Sequence, residues 1–267
     1  MESISHDLTQ RIKEDVEKSG FPLEIEVSST LRQDGWGEFV HDCYLDEEEK
    51  VTREIDVSGF KRTDINSPDY EFIHVSLLIK CKKRSDKPWV FFTREKGKES
   101  HFPFVLLHSL GNPRTHTKLL SQEKWMKHSH YFSPAFTKNA IISYEPFTGL
   151  NDGGIIFESS MKAIKALTYQ MKETKKSFAF IKNPLFIFYP VMVLDGHLFE
   201  YTNAKAVEPV PYLQYLVRHR FTDPDTDKLV RDMFLIDVLR KEFLQEYLKI
   251  LRQELNAIEK ALVSWTD

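Results

Sequence analysis

The chain has little cysteine: Cys43 and Cys81 are the two in 267 residues. Two thiols without CxxC spacing exclude a disulfide framework and a CxxC metal or redox site, and a reducing compartment is expected. Net charge is also small, −3 at pH 7. The whole molecule therefore lacks the field of a nucleic-acid binder, and any such role must rest on a local patch. No apolar run approaches the ~20 residues needed to span a bilayer, so no membrane partner is expected. The opening Met1-Glu2-Ser3 is amphipathic, with no basic region followed by an apolar core. No secretory signal is expected from it, and the cytoplasm is the expected location. What is present is a core-forming composition, 41% hydrophobic and 29% charged. That suits one large α/β domain, alone or with appendages.

Periodicity orders the chain. Ile4, Leu8, Ile12 and Val16 recur every fourth residue before Gly20, which predicts an amphipathic helix with a glycine stop. A second helix is predicted from Pro22 to Gly35, with Leu23, Val27 and Leu31 as its apolar stripe. Glu24 falls at the border of that stripe, where a carboxylate can look into a cleft or sit in solvent as a first-turn acid. Strands over 37–44 and 50–60 flank the acidic turn Asp46-Glu47-Glu48-Glu49 and read as a hairpin. A third strand ends at Lys82. Alternation puts Thr52, Glu54 and Asp56 on one face of the second strand, and His74, Ser76, Leu78, Lys80 and Lys82 on one face of the third. Cys81 then reads as a small buried residue.

Further on, Trp89–Phe92 and Phe104–Leu107 are short apolar segments. Five histidines, His101, His108, His116, His128 and His130, show no HExxH or zinc-finger spacing. A helix is predicted over 156–175 and a buried strand over 185–194. Asp195-Gly196 reads as a hairpin turn, with 197–201 returning. Leu244, Leu248, Leu251, Leu255, Ile258, Leu262 and Trp265 form a three-heptad seam on a helix predicted to start near Asp227. Leu229, Met233 and Ile236 lie on the second apolar side of that helix. The seam either packs on its own domain or forms a homodimer.

The order helix with Glu24, strand Arg53-Glu54-Ile55-Asp56, strand Leu78-Ile79-Lys80-Cys81-Lys82-Lys83 resembles the PD-(D/E)xK nuclease superfamily, the restriction-endonuclease-like fold. The opening Gly20-Phe21-Pro22-Leu23-Glu24, then Leu31 and Gly35-Trp36, is similar to its Holliday-junction-resolvase and Mrr-like branch. The resemblance covers the first 92 residues and extends loosely to residues 156–201. It implies a mixed central sheet flanked by helices, acting on DNA by metal-dependent phosphodiester hydrolysis. Asp56 would be the central ligand to Mg2+ or Mn2+, with Glu24 and Glu54 as further ligands. Lys82 would orient the attacking water and stabilise charge on the phosphate. The motif's second acid is missing: Lys80 stands in its place. A protonated lysine repels a cation, so the site is expected to be dead, weakly active, or completed by an acid from elsewhere.

A run of basic residues follows: Lys83, Arg84, Lys87, Arg94, Lys96 and Lys98, interleaved with Trp89, Phe91 and Phe92. It would neutralise phosphates, without encoding base readout. The expected organisation is an α/β domain over 1–226, with 84–154 as an insertion or peripheral part, followed by a long C-terminal helix over 227–267. The expected activity is a nuclease-like action on DNA. The alternatives are a non-catalytic nucleic-acid-binding module and an assembly protein using the C-terminal helix.

Overall fold

The computed structural model describes residues 6–65, 71–96, 108–111, 119, 125, 128–131, 137–147, 154–177, 184–203, 205–223 and 228–263. The protein is α/β. Two helices, α1 (His6–Lys18) and α2 (Phe21–Gln33), precede a meander of β1 (Gly37–Asp46), β2 (Val51–Asp64) and β3 (Phe72–Glu95). Then come β4 (Ser109–Leu110), β5 (Lys138–Tyr144) and α3 (Gly154–Ser177). The chain continues through β6 (Leu185–Tyr201), β7 (Val207–Pro209), β8 (Tyr212–Asp223) and β9 (Lys228–Arg240) to a 3-10 turn and the long α4 (Leu244–Val263).

Local chemistry explains the first elements. α2 starts with Pro in its first turn and is followed by Gly35 at φ 77°, a left-handed position suited to glycine. The β1–β2 turn is closed by Asp46, whose Oδ1 accepts from the backbone N–H of Glu48 and Glu49. Its other oxygen accepts from Arg53 and Lys165, so the acidic turn is pinned to α3 as well as to its own hairpin.

All these strands join one large mixed sheet. β1, β2 and β3 pair antiparallel, and β3 lies parallel to β6 along most of its length. β6 in turn lies parallel to β9, and β9 antiparallel to β8. β5 pairs antiparallel with the end of β3 and touches β8 through a single parallel pair, Ala140 with Tyr215. The strands β3, β5, β8, β9 and β6 therefore form a ring with one weak seam.

Helices cover both faces. Leu23, Val27 and Leu31 of α2 and the buried stripe of α4 pack with Ile73, Val75, Leu77 and Ile79 of β3 and with alternate residues of β6. On the other face Ile156, Ile164 and Leu167 of α3 pack with Leu78, Trp89, Phe188, Met192 and Ile236. Burial on both faces explains why residues 185–194 read as an unbroken apolar run.

Two expectations are corrected. The helix predicted from Asp227 starts at Leu244, and residues 228–240 are β9, paired with β6 and β8 inside the sheet of the preceding residues. The spacing of Leu229, Met233 and Ile236 imitates a helix. Phe234, Leu235, Ile236, Val238 and Leu239 are all buried, as a strand covered on both faces requires. The hairpin at Asp195-Gly196 does not form: β6 runs straight through, with Arg84 paired to Gly196. A side chain there would come within 2.3 Å of the Arg84 carbonyl oxygen, so the glycine permits close strand approach and not a turn. The seam of α4 is packed within the chain: Leu244, Leu248, Leu251, Ile258 and Leu262 are buried, and Leu255 packs against the same core. Of the two expected uses of the seam, packing on its own domain is the one these contacts support. The predicted insertion over 84–154 includes the second half of β3 and β5, which belong to the sheet, while Trp265 and the segment 104–107 lie outside the described residues.

Candidate carboxylate–lysine site and buried histidine network

Five of the predicted site residues come together where β2 parts from β3. The β2–β3 ladder ends with Val57 paired to Ile79, leaving Asp56 and Lys80 just beyond it. The strand also rolls here. Val57 packs on the α2 face and Ile55 on the α3 face, so the even alternation predicted for β2 is interrupted at Asp56. Backbone groups released from the ladder are satisfied by the pair itself. The Cys81 N–H donates to Asp56 Oδ2 at 2.6 Å. The Lys80 ammonium donates to Asp56 Oδ1 and to the Glu54 carbonyl oxygen, the latter at 3.3 Å. Lys80 is 5% exposed, so the pair is shielded from water.

His41 is a member that sequence reasoning missed. It lies opposite Asp56 in the β1–β2 register, and the ladder skips that pair. Its φ is 58°, a left-handed conformation that is costly in a strand. Its Nδ1 lies 3.0 Å from Glu54 Oε2 and its Nε2 2.9 Å from Glu24 Oε2. The contact with Glu24 is an ion pair that falls short of hydrogen-bond alignment, since that oxygen has no hydrogen-bond partner among the described residues. The imidazole is held above its ordinary pKa by the hydrogen bond to Glu54, against burial, and by the charges of Glu24, Glu54 and Asp56. Glu24 is raised by burial and by Asp56, opposed by His41 and Lys80. Lys82 is half-buried beside them and lowered, first by burial, with Asp56 pulling the other way and Lys80 adding to the depression. Nothing in the residue pattern singled out His41; only the register across β1 and β2 does.

The donor set does not fit a divalent cation. Both oxygens of Asp56 already accept from cationic or backbone donors, and an ammonium stands against the carboxylate that would be the central ligand. Among the described residues, no group of three or more His, Cys, Asp or Glu is arranged to hold a metal ion.

The predicted basic run does not form one surface. The ammonium of Lys83 donates to the Glu17 carbonyl oxygen, Arg84 pairs with the buried Glu145, and Lys96 donates to the Tyr131 carbonyl oxygen at 2.6 Å. Burial presses Lys96 down to about 8. Lys87 is half-buried, Arg94 is exposed, and Lys98 lies outside the described residues. Trp89 and Phe91 are fully buried core residues, so they are not stacking platforms.

A second cluster of titratable groups lies deeper, beneath α4. His130 is fully buried between two acids, its Nδ1 2.5 Å from Glu254 and its Nε2 3.1 Å from Asp237. The hydroxyls of Tyr212 and Tyr247 donate to Asp237 at 2.6 and 2.7 Å, and Ser129 donates to Glu254 at 2.8 Å. Gln214 donates to the His130 carbonyl oxygen and the Tyr212 hydroxyl. Burial works against the imidazolium, but the two carboxylates outweigh it and push His130 up to about 10. Burial drives His108 down to about 4, against the pull of the Asp237 charge. His128 is exposed, and His101 and His116 lie outside the described residues. The sequence carried one sign of this network: Asp237 is an acid inside the apolar run Phe234-Leu235-Ile236-Asp237-Val238-Leu239.

No known protein family, curated protein or solved structure matches the chain. No helix among the described residues is long and apolar enough to cross a membrane.

Proposed function

We propose that this chain is a nuclease-like protein in which Lys80 occupies the cation's place, so that it engages DNA without metal-dependent cleavage. The observation that carries this reading is the Lys80 ammonium seated on Asp56 and on the Glu54 carbonyl oxygen. The order of elements supports it too. The glutamate helix, the aspartate strand and the lysine strand are α2, β2 and β3, and they converge on one point, as the resemblance to the PD-(D/E)xK superfamily requires. Lys82 remains beside that point with its ammonium half-buried, able to meet a phosphate oxygen. The charge of Lys80 does the neutralising that a cation would otherwise supply, which leaves no coordination site for a bound water.

The experiment compares wild type, Asp56→Ala and Lys80→Glu for binding and cleavage of linear, nicked and single-stranded DNA with Mg2+ or Mn2+. Salt-sensitive binding without cutting by wild type is the expected result. Lys80→Glu should gain Mn2+ binding, read by calorimetry. Metal-dependent cutting by wild type that Asp56→Ala abolishes would overturn the loss of catalysis. Absence of DNA binding at low salt would overturn the nucleic-acid role.

A further inference from the structure

The weak seam of the strand ring opens into a cavity that the carboxylate–lysine site does not use. β5 and β8 share only the Ala140–Tyr215 pair, and beyond it the strands separate. A cavity of about 350 Å³ lies at this place, lined among others by Arg94, Ile141, Phe157, Tyr215, Val217 and Arg218. That size falls within the range of small-molecule sites, roughly 300–1,000 Å³. Arg94 comes from β3 and Arg218 from β8, so two guanidinium groups reach the cavity from different strands. Both are exposed, and neither has a carboxylate partner among the described residues. By contrast, Arg53 pairs with Asp46 and Glu49, and Arg84 with Glu145.

The remaining walls are apolar or aromatic. Phe157 is 52% exposed and Ile141 38% exposed, so the rim offers apolar surface beside the two guanidinium groups. Tyr215 and Val217 are buried and form the floor, with the Tyr215 hydroxyl already engaged by Ser143 at 3.3 Å. Two guanidiniums match a dianionic phosphate, which they can clamp through forked N–H donors. An exposed phenyl ring offers a flat face for a planar ring, worth ~1–3 kcal/mol per stacked base in nucleic-acid sites.

From these features we infer that the β5–β8 cavity is a binding site for a phosphorylated planar heterocycle, a mononucleotide held by Arg94 and Arg218 at the phosphate and by Phe157 at the ring. The same chemistry is offered by a free nucleotide and by the phosphorylated end of a strand. The inference does not rest on the nuclease-like reading, because none of the residues used lies in the carboxylate–lysine site.

Calorimetry on the full chain with AMP, CMP, adenosine and inorganic phosphate tests it, with circular dichroism confirming that each variant is folded. AMP should bind at least tenfold more tightly than adenosine or inorganic phosphate. Arg94→Gln and Arg218→Gln should each weaken AMP at least tenfold, and Phe157→Ala should weaken AMP while leaving phosphate unchanged. Displacement of AMP by a 5′-phosphorylated oligonucleotide, but not by its 5′-hydroxyl form, would assign the site to strand ends; no displacement by either would assign it to free nucleotide. Absence of AMP binding at millimolar concentration, or equal affinity in wild type and both arginine variants, would overturn the proposal.

Discussion

Replacing His130 with glutamine tests the buried network most directly. The variant keeps a side chain of similar reach but removes the cation between Asp237 and Glu254, both fully buried. Breaking a buried ion pair by deleting one partner costs about 3–5 kcal/mol, because the remaining charge is left uncompensated. At ~2.1 cal/mol/K of unfolding entropy per residue, a chain of this length loses about 5–9 °C in Tm for that cost. The pH dependence gives a second, sharper reading. His130 holds its proton to about pH 10 in the folded state, whereas an unfolded histidine releases it near ~6.5. Folding therefore takes up a proton between those values. The stabilisation is complete below pH ~6.5 and declines as pH rises towards 10, by at most ~1.4 kcal/mol per unit. Lys96 acts in the opposite sense above pH 8, since its folded pKa is depressed to about 8. Between pH 6.5 and 8 the decline is free of Lys96, and His41, whose pKa is also raised, adds the same decline to both proteins. Urea unfolding followed by tryptophan fluorescence should show wild-type stability falling across that window and a flatter line for His130→Gln. A destabilisation below ~1 kcal/mol at pH 7, or equal slopes in the two proteins, would refute the charged-histidine account.

Other expectations follow from single sites. Gly196→Ala should destabilise by about 1–3 kcal/mol in urea unfolding, because its methyl group would meet backbone and not a yielding side chain. Leu251→Ala, in the fully buried seam of α4, should cost about 2–5 kcal/mol without changing the mass measured by light scattering, as expected for a seam packed within the chain. The His41 imidazole should titrate above a free histidine by NMR and move down in Glu54→Gln, since the hydrogen bond to Glu54 is the largest cause of its shift. The part of the stability due to His41 is present below the free histidine pKa and is lost as pH rises through its folded value.

The helices and the hairpin were legible because each has one wet face, and a period survives in the residues that line the dry one. α2, the β1–β2 hairpin and α3 lie close to where the spacing put them. β9 was not legible, because a strand covered on both faces loses its alternation, and three of its apolar residues happen to fall at helical intervals. Gly196 was misread because a glycine after an aspartate signals a turn locally, whereas here the demand for glycine comes from β3, a strand far away in sequence. Glu24, Asp56, Lys80 and Lys82 were found by their order along the chain. His41 and His130 were not, since their partners are set by register and by long-range packing.

The parallel pairing of β3 with β6 also governs how the chain can reach this structure. Ile73 pairs with Leu185, and every residue between them forms the loop that this contact closes. Contacts of such sequence separation restrict the chain before they reward it, so folding is expected on the slow side for its size. Until β6 arrives, the β1–β3 meander and α2 expose the apolar face of β3 and an unpaired strand edge. A chain caught before β6 joins would be open to aggregation, so its yield on refolding should depend on protein concentration more than on its final stability.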